Sequence, residues 1–116
     1  MADQITKASI AAAKWWADRL QSGDREKFSA ILQLLIEKDL REHGRSYTEC
    51  DYDPHGHLLA AVKAAVDPDC RGFLFSARGI LPNKHELTIY PDRLEPKEGY
   101  GNWTDAIQVP PLEEKT

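Results

Sequence analysis

The stretch that most limits how this chain can fold is DREKFSAILQLLIEKDLREHG, residues 24–44. Phe28, Ile31, Leu32, Leu35 and Ile36 fall at i, i+3, i+4, i+7 and i+8, the spacing that draws one apolar stripe along an α-helix. Both ends agree with that reading. Asp24 stands where a side chain caps the first turn, and Glu26 adds negative charge there. Arg41 and His43 bring positive charge to the last turn, and Gly44 can end the helix in the left-handed conformation. A helix with one apolar stripe must bury it. The segment before it offers a partner: in KASIAAAKWWADRL, capped at Thr6, the residues Ile10, Ala13, Trp16, Ala17 and Leu20 share a face. The connector QSGD, with Gly23 as C-terminal cap, is short, so the two helices are expected to form an antiparallel hairpin.

After Gly44 the period changes from helical to two. In RSYTECDYD, Tyr47, Glu49 and Asp51 alternate with Thr48, Cys50 and Tyr52, which predicts a strand. Asp53 followed by Pro54 reads as a cap and first helical residue, opening a helix through HLLAAVKAAV with Leu58, Ala61, Val62 and Ala65 on its buried side. FLFSARGILPNKH is a loop or short strand anchored by Phe73, Phe75 and Leu81. ELTIYPDRLEPKEGYG predicts a hairpin turning at Pro91-Asp92, with Leu87, Ile89, Leu94 and Pro96 inward. NWTDAIQVP adds a short edge strand, and residues 110–116 form a frayed tail. The sum is an α+β fold: a helical hairpin, then β-α-β-β with a small, mainly antiparallel sheet, in a single domain over residues 1–116. A chain of 116 residues, 41% of them apolar, suffices for one core and no second domain.

Charge narrows the function. With 15 basic and 19 acidic residues the net charge is −4, which argues against a nucleic-acid binder and is too mild for a mimic of the DNA backbone. The opening MADQITKAS lacks the apolar core of a signal peptide, and no run approaches a membrane span, so a cytoplasmic protein with reduced Cys50 and Cys70 is expected.

The densest chemistry is CDYDPHGH, residues 50–57. Cys50, His55, His57 and Cys70 match zinc's four-ligand count, but the spacing fits no standard zinc module. If Pro54 opens a helix, His55 and His57 lie roughly 200° apart around its axis and cannot share an ion. Asp51 or Asp53 orienting a histidine would make an acid/base pair. A thiolate at Cys50 would need a neighbouring base or helix N-terminus. The simpler reading is a strand–cap–helix junction with Asp53 as cap and Cys50 as a buried structural thiol. No catalytic residue, metal or cofactor is expected.

The aromatic residues point elsewhere. Trp15 and Trp16 are adjacent, so both can be core only where two surfaces meet; Trp16 fits the stripe, and Trp15 is either wedged against the sheet or a contact anchor. EGYGNW has too few glycines, and no following helix, for a phosphate loop. It reads as a turn that can present Tyr100 and Trp103 to a partner, with Lys84, Arg93 and Lys97 as a basic rim.

ILPNKHELTIYPDRLEPKEGYG resembles the C-terminal part of small phage and prophage accessory proteins, through Leu81, Pro82 and Lys84, then Gly99, Tyr100 and Gly101; the DYDP run at Asp51 to Pro54 is also similar. His85 departs from the small polar residue expected after Lys84, and the N-terminal helices lie outside the resemblance. The resemblance implies a non-enzymatic protein that binds and inhibits or redirects a bacterial host protein, defence machinery such as CRISPR effectors included. The expected partner-binding residues are Tyr90, Arg93, Lys97, Tyr100 and Trp103. The alternative is a small metalloprotein or enzyme using Cys50, His55, His57 and Cys70. An exposed tryptophan would serve a homodimer equally well.

Overall fold

A computed structural model of the chain describes residues 3–21, 24–51, 53–54, 56–65, 81, 84–99 and 104–109. Its elements are α1 (Gln4–Ala17), α2 (Arg25–His43), β1 (Ser46–Asp51), β2 (Asp53–Pro54), α3 (His57–Ala65), β3 (His85–Ile89), β4 (Arg93–Glu98) and β5 (Ile107–Gln108). The fold is α+β, with one antiparallel sheet in the order β2-β1-β3-β4-β5.

Helix α2 forms as its sequence demands. The Asp24 carboxylate accepts from the backbone N–H groups of Glu26 and Lys27, and Gly44 closes the helix at φ 80°. Phe28, Leu32 and Ile36 are fully buried and Leu40 nearly so, an i, i+4 row of four turns; Leu35, at the stripe's margin, is only half-buried. Helix α1 differs from expectation at two points. Its cap is Asp3, which accepts from the Thr6 N–H at 2.8 Å, and not Thr6. A carboxylate one turn earlier out-competes the threonine, whose hydroxyl instead donates to Glu37 of α2 at 3.1 Å. Ile10 is 46% exposed because the buried face is set by Ala8, Ala12, Ala13, Trp15 and Trp16, and Ile10 lies off it.

The helices pair antiparallel. Arg41, near the end of α2, bonds Glu37 at 2.7 Å and reaches Asp3 at the start of α1 at 3.1 Å. At the other end Arg25 donates to the carbonyls of Ala17 and Leu20, satisfying the open end of α1. The Asp24 N–H donates to Ala65 O at 3.0 Å, so α3 runs back along α2.

The main correction concerns Asp53-Pro54. They form β2, paired with Asp51 and Cys50, and the helix starts at His57. An Asp-Pro pair suits an edge strand as well as a helix start, since in both places the missing proline N–H costs nothing. Gly56, at φ 54°, makes the turn, and its carbonyl accepts the first helical bond, from the Ala60 N–H at 3.2 Å. The divergence of His55 and His57 around a helix therefore does not hold: the backbone is extended through Pro54, and His55 lies outside the described residues. Gly23, Phe73, Phe75, Cys70 and the tail from residue 110 lie outside them too.

All the described helices pack on one face of the sheet. That face carries Thr48 and Cys50 from β1, Leu87 and Ile89 from β3, and Leu94 and Pro96 from β4, all buried. Trp16, with no exposed surface, donates through Nε1 to Thr48 Oγ1 at 2.7 Å, and the Thr48 hydroxyl in turn donates to Leu87 O at 3.1 Å. The indole polar atom is thus paired inside the core. Trp15 is core as well, wedged against the sheet. It meets Trp16 edge-on at 4.9 Å, lies 6.2 Å from the His85 ring, and is capped by the Arg19 guanidinium at 3.6 Å, which also reaches Glu98 at 3.3 Å.

Candidate functional site

Strand alternation sends the other half of each strand to the opposite face, which no described helix covers. Register fixes its rows. Tyr47 stands opposite Thr88, which stands opposite Glu95; Glu49 stands opposite Glu86, which stands opposite Lys97; Arg93 stands opposite Gln108.

This face is polar and cross-linked. The Tyr47 hydroxyl donates to Glu86 Oε1 at 2.6 Å, and Lys97 Nζ lies 3.8 Å from the other oxygen of the same carboxylate. Arg93 donates through Nε to Glu95 at 2.8 Å and through Nη1 to Asp92 at 3.0 Å, while its guanidinium lies 4.0 Å over the Tyr90 ring. Glu95 and Asp92 hold its charge on still more firmly. Partial burial, the bond to Glu86 and the charges of Glu86 and Glu49 push the Tyr47 phenol well above the ordinary tyrosine value. Half of Tyr47 is in solvent, so the carboxylates are the firmer of those causes.

Of the expected partner-binding residues, Arg93 and Lys97 share the open face, four positions apart on β4, and Tyr90 stacks at the adjoining turn. Tyr100 and Trp103 lie outside the described residues, as do Pro82 and Gly101 of the resemblance. Lys84 has a different environment from the expected rim. It adopts φ 60° just before β3, and its ammonium sits 2.8 Å from Asp51 Oδ1, tying the start of β3 to the end of β1.

A second cluster, which sequence spacing does not reveal, joins α2, β1 and α3. The Asp39 Oδ2 atom accepts from Ser46 Oγ at 2.8 Å and meets His57 Nε2 at 2.8 Å. The carboxylate that meets a histidine is thus Asp39, and not Asp51 or Asp53 as the acid/base alternative has it. An open hollow of about 510 Å³ lies alongside, lined by Asp39, His43, Arg45, Ser46 and Tyr47. A serine nucleophile needs the histidine between hydroxyl and carboxylate. Here the carboxylate lies between serine and histidine, so the cluster is a clamp on the three elements.

The described part of the zinc set does not converge. Cys50 is a fully buried thiol facing Leu81 O at 3.9 Å. His57 is held near Ser46, at the other end of β1, four residues or roughly 13 Å of strand away. Zinc bonds of about 2 Å cannot span that distance. Among the described residues no group of three or more His, Cys, Asp or Glu side chains is placed to hold a metal ion. No described helix is long and apolar enough to cross a membrane.

Comparison with protein families, with curated proteins and with solved structures finds no significant match to this chain.

Proposed function

We propose that this is a non-enzymatic binding protein that docks on a bacterial host protein through the open side of its sheet and inhibits or redirects it. The observation that carries the reading is the one-sided sheet. Helices fill one face, while the other keeps Arg93, Lys97 and Tyr47 in reach of solvent, locked by neighbours before any partner arrives. Side chains already fixed lose little freedom on binding, which favours a preformed steric surface. The Tyr90–Arg93 stack supplies a rigid aromatic and cationic anchor of the kind that dominates interfaces. The partner class rests on the resemblance of residues 81–101 to phage and prophage accessory proteins, and host defence machinery is the finer form of the proposal.

The test is capture from bacterial lysate with the full chain as bait, read by mass spectrometry. Tyr100→Ala combined with Trp103→Ala, and separately Tyr90→Ala, are expected to lose the captured protein while circular dichroism stays that of the wild type. Undiminished capture by both variants would remove the site.

A further inference from the structure

We infer that two copies of this chain associate through the outer side of the α1–α2 hairpin, with a twofold axis running along the groove between the helices. Phe28, Leu32, Ile36 and Leu40 define the buried side of α2. Leu34 points roughly 180° from their mean direction and is 63% exposed. On α1 the stripe Asp3, Lys7, Ile10, Lys14 and Asp18 lies opposite the buried row Ala8, Ala12 and Trp16. Among the described residues Ile10 and Leu34 are the large apolar side chains that the helices leave in water.

Ties across the hairpin fix which residues stand level. Asp3 meets Arg41 at 3.1 Å, Thr6 meets Glu37 at 3.1 Å, and Arg25 reaches Ala17 O at 3.0 Å. Between these ties Ile10 comes level with Leu34, and Lys14 with Ala30. A twofold axis parallel to the helices keeps every level, so α1 of one copy lies antiparallel over α2 of the other with the same opposites. Ile10 then covers Leu34, twice, and an open hollow of about 350 Å³ on α2, bordered by Leu34, Glu37, Lys38 and Arg41, receives the incoming helix.

The charges favour this arrangement. Asp3 comes level with Arg41 of the other copy, and Asp18 comes within a turn of Lys27, which has no ion pair among the described residues. Lys14 faces the uncharged Ala30, and Lys7 meets one charge of each sign, Glu37 and Lys38. A twofold axis across the helices would set Lys27 over Arg41 and Lys7 beside Lys14 of the other copy, like charge against like. A second copy therefore fits this face better than an unrelated helix does, because opposite charges and the apolar pair recur at matching levels. Helix α1 spans 14 residues, roughly 21 Å, so the contact is small and the dimer belongs to the weak, exchanging class. The sheets lie on the outer sides of such a dimer, and both open faces stay in solvent, so a partner with repeated sites is held twice. That last consequence rests on the binding role proposed above; the association itself does not.

The experiment is sedimentation velocity with the full chain from micromolar to millimolar concentration, where the wild type is expected to dimerise. Leu34→Glu changes an exposed side chain that counts twice in a symmetric dimer, and is expected to weaken association roughly tenfold or more with an unchanged circular dichroism spectrum. Lys97→Ala, on the open sheet face, is expected to associate as the wild type does. Orientation is read by disulfide trapping under mild oxidation in a Cys70→Ser background. Mixing Ile10→Cys chains with Leu34→Cys chains should give a cross-linked heterodimer in greater yield than either variant gives alone. A wild type monomeric throughout, Leu34→Glu chains that dimerise as the wild type does, equal weakening by Lys97→Ala, or Ile10→Cys chains that cross-link to one another in preference to Leu34→Cys chains overturns the inference. Capture from lysate reads the partner-binding proposal separately, since association and capture can each fail without the other.

Discussion

The two faces of the sheet are made from the same strands and differ in almost every other respect. On the covered face Thr48, Leu87, Ile89 and Leu94 meet Trp16, Phe28, Leu32 and Ile36, with at most 2% of any of these side chains in solvent. On the open face Tyr47, Glu86, Arg93, Glu95 and Lys97 are joined by ion pairs and one phenol hydrogen bond, with water beside them. Burial stabilises by about 25 cal/mol for each Å² of apolar surface removed from water, whereas exposed ion pairs contribute ~0–1 kcal/mol each. Stability therefore belongs to the covered face. The open face holds its side chains in fixed positions at little energetic gain, as a surface kept for recognition would.

Substitutions on the two faces should separate accordingly. The largest effect is expected from Phe28→Ala, which empties a fully buried site between α2 and the rest of the core. It should cost about 3–5 kcal/mol in denaturant unfolding. A much smaller loss would mean the core is centred elsewhere. Next is Trp16→Phe, which keeps most of the ring but removes the donor to Thr48 Oγ1, a group only 2% exposed. The expected loss is ~1–3 kcal/mol, and Trp16→Phe with Thr48→Val together should lose less than the two singles summed.

Tyr47→Phe tests the open face, with a small cost at neutral pH that shrinks as the solution turns alkaline. The folded phenol titrates above its unfolded value of 10.0, so the folded state holds that proton more tightly. Its contribution is fully present below that unfolded value and is lost as pH rises toward the folded pKa. Unfolding followed across this alkaline range should show a shallower decline for Tyr47→Phe than for the wild type. Parallel curves would break the assignment of the Tyr47–Glu86 bond. The smallest effect is expected from Lys14→Ala. It removes an i, i+4 pair to Asp18 in which the side chains are 72% and 58% exposed, so the change should stay within ~0.5 kcal/mol.

How far these features could be read from the chain depends on whether the determining contacts are local. The caps and stripe of α2, the alternation of β1 and the β3–β4 hairpin are written in neighbouring residues, and the structure follows them. Asp53-Pro54 is local too, but the same two residues satisfy two different backbone states, and pairing with Cys50 and Asp51 decided between them. Thr6 lost the cap because Asp3, three residues earlier, is the stronger acceptor in place. The Asp39–His57 clamp joins residues 18 positions apart through tertiary packing, and no spacing rule reaches it. On the open face Arg93 and Lys97 are legible as a basic pair of β4, while the acidic partners that hold them, Glu95 and Glu86, emerge only from the strand register.

One measurement bears most directly on the division of labour between the faces. Arg93→Ala with Lys97→Ala strips both cations from the open side of β4 and leaves the helix-covered core untouched. Protein capture from bacterial lysate and the denaturant midpoint should be recorded on the same preparation. The expected result is capture lost with the midpoint unmoved. Capture retained at wild-type level, or lost only in step with unfolding, contradicts the account.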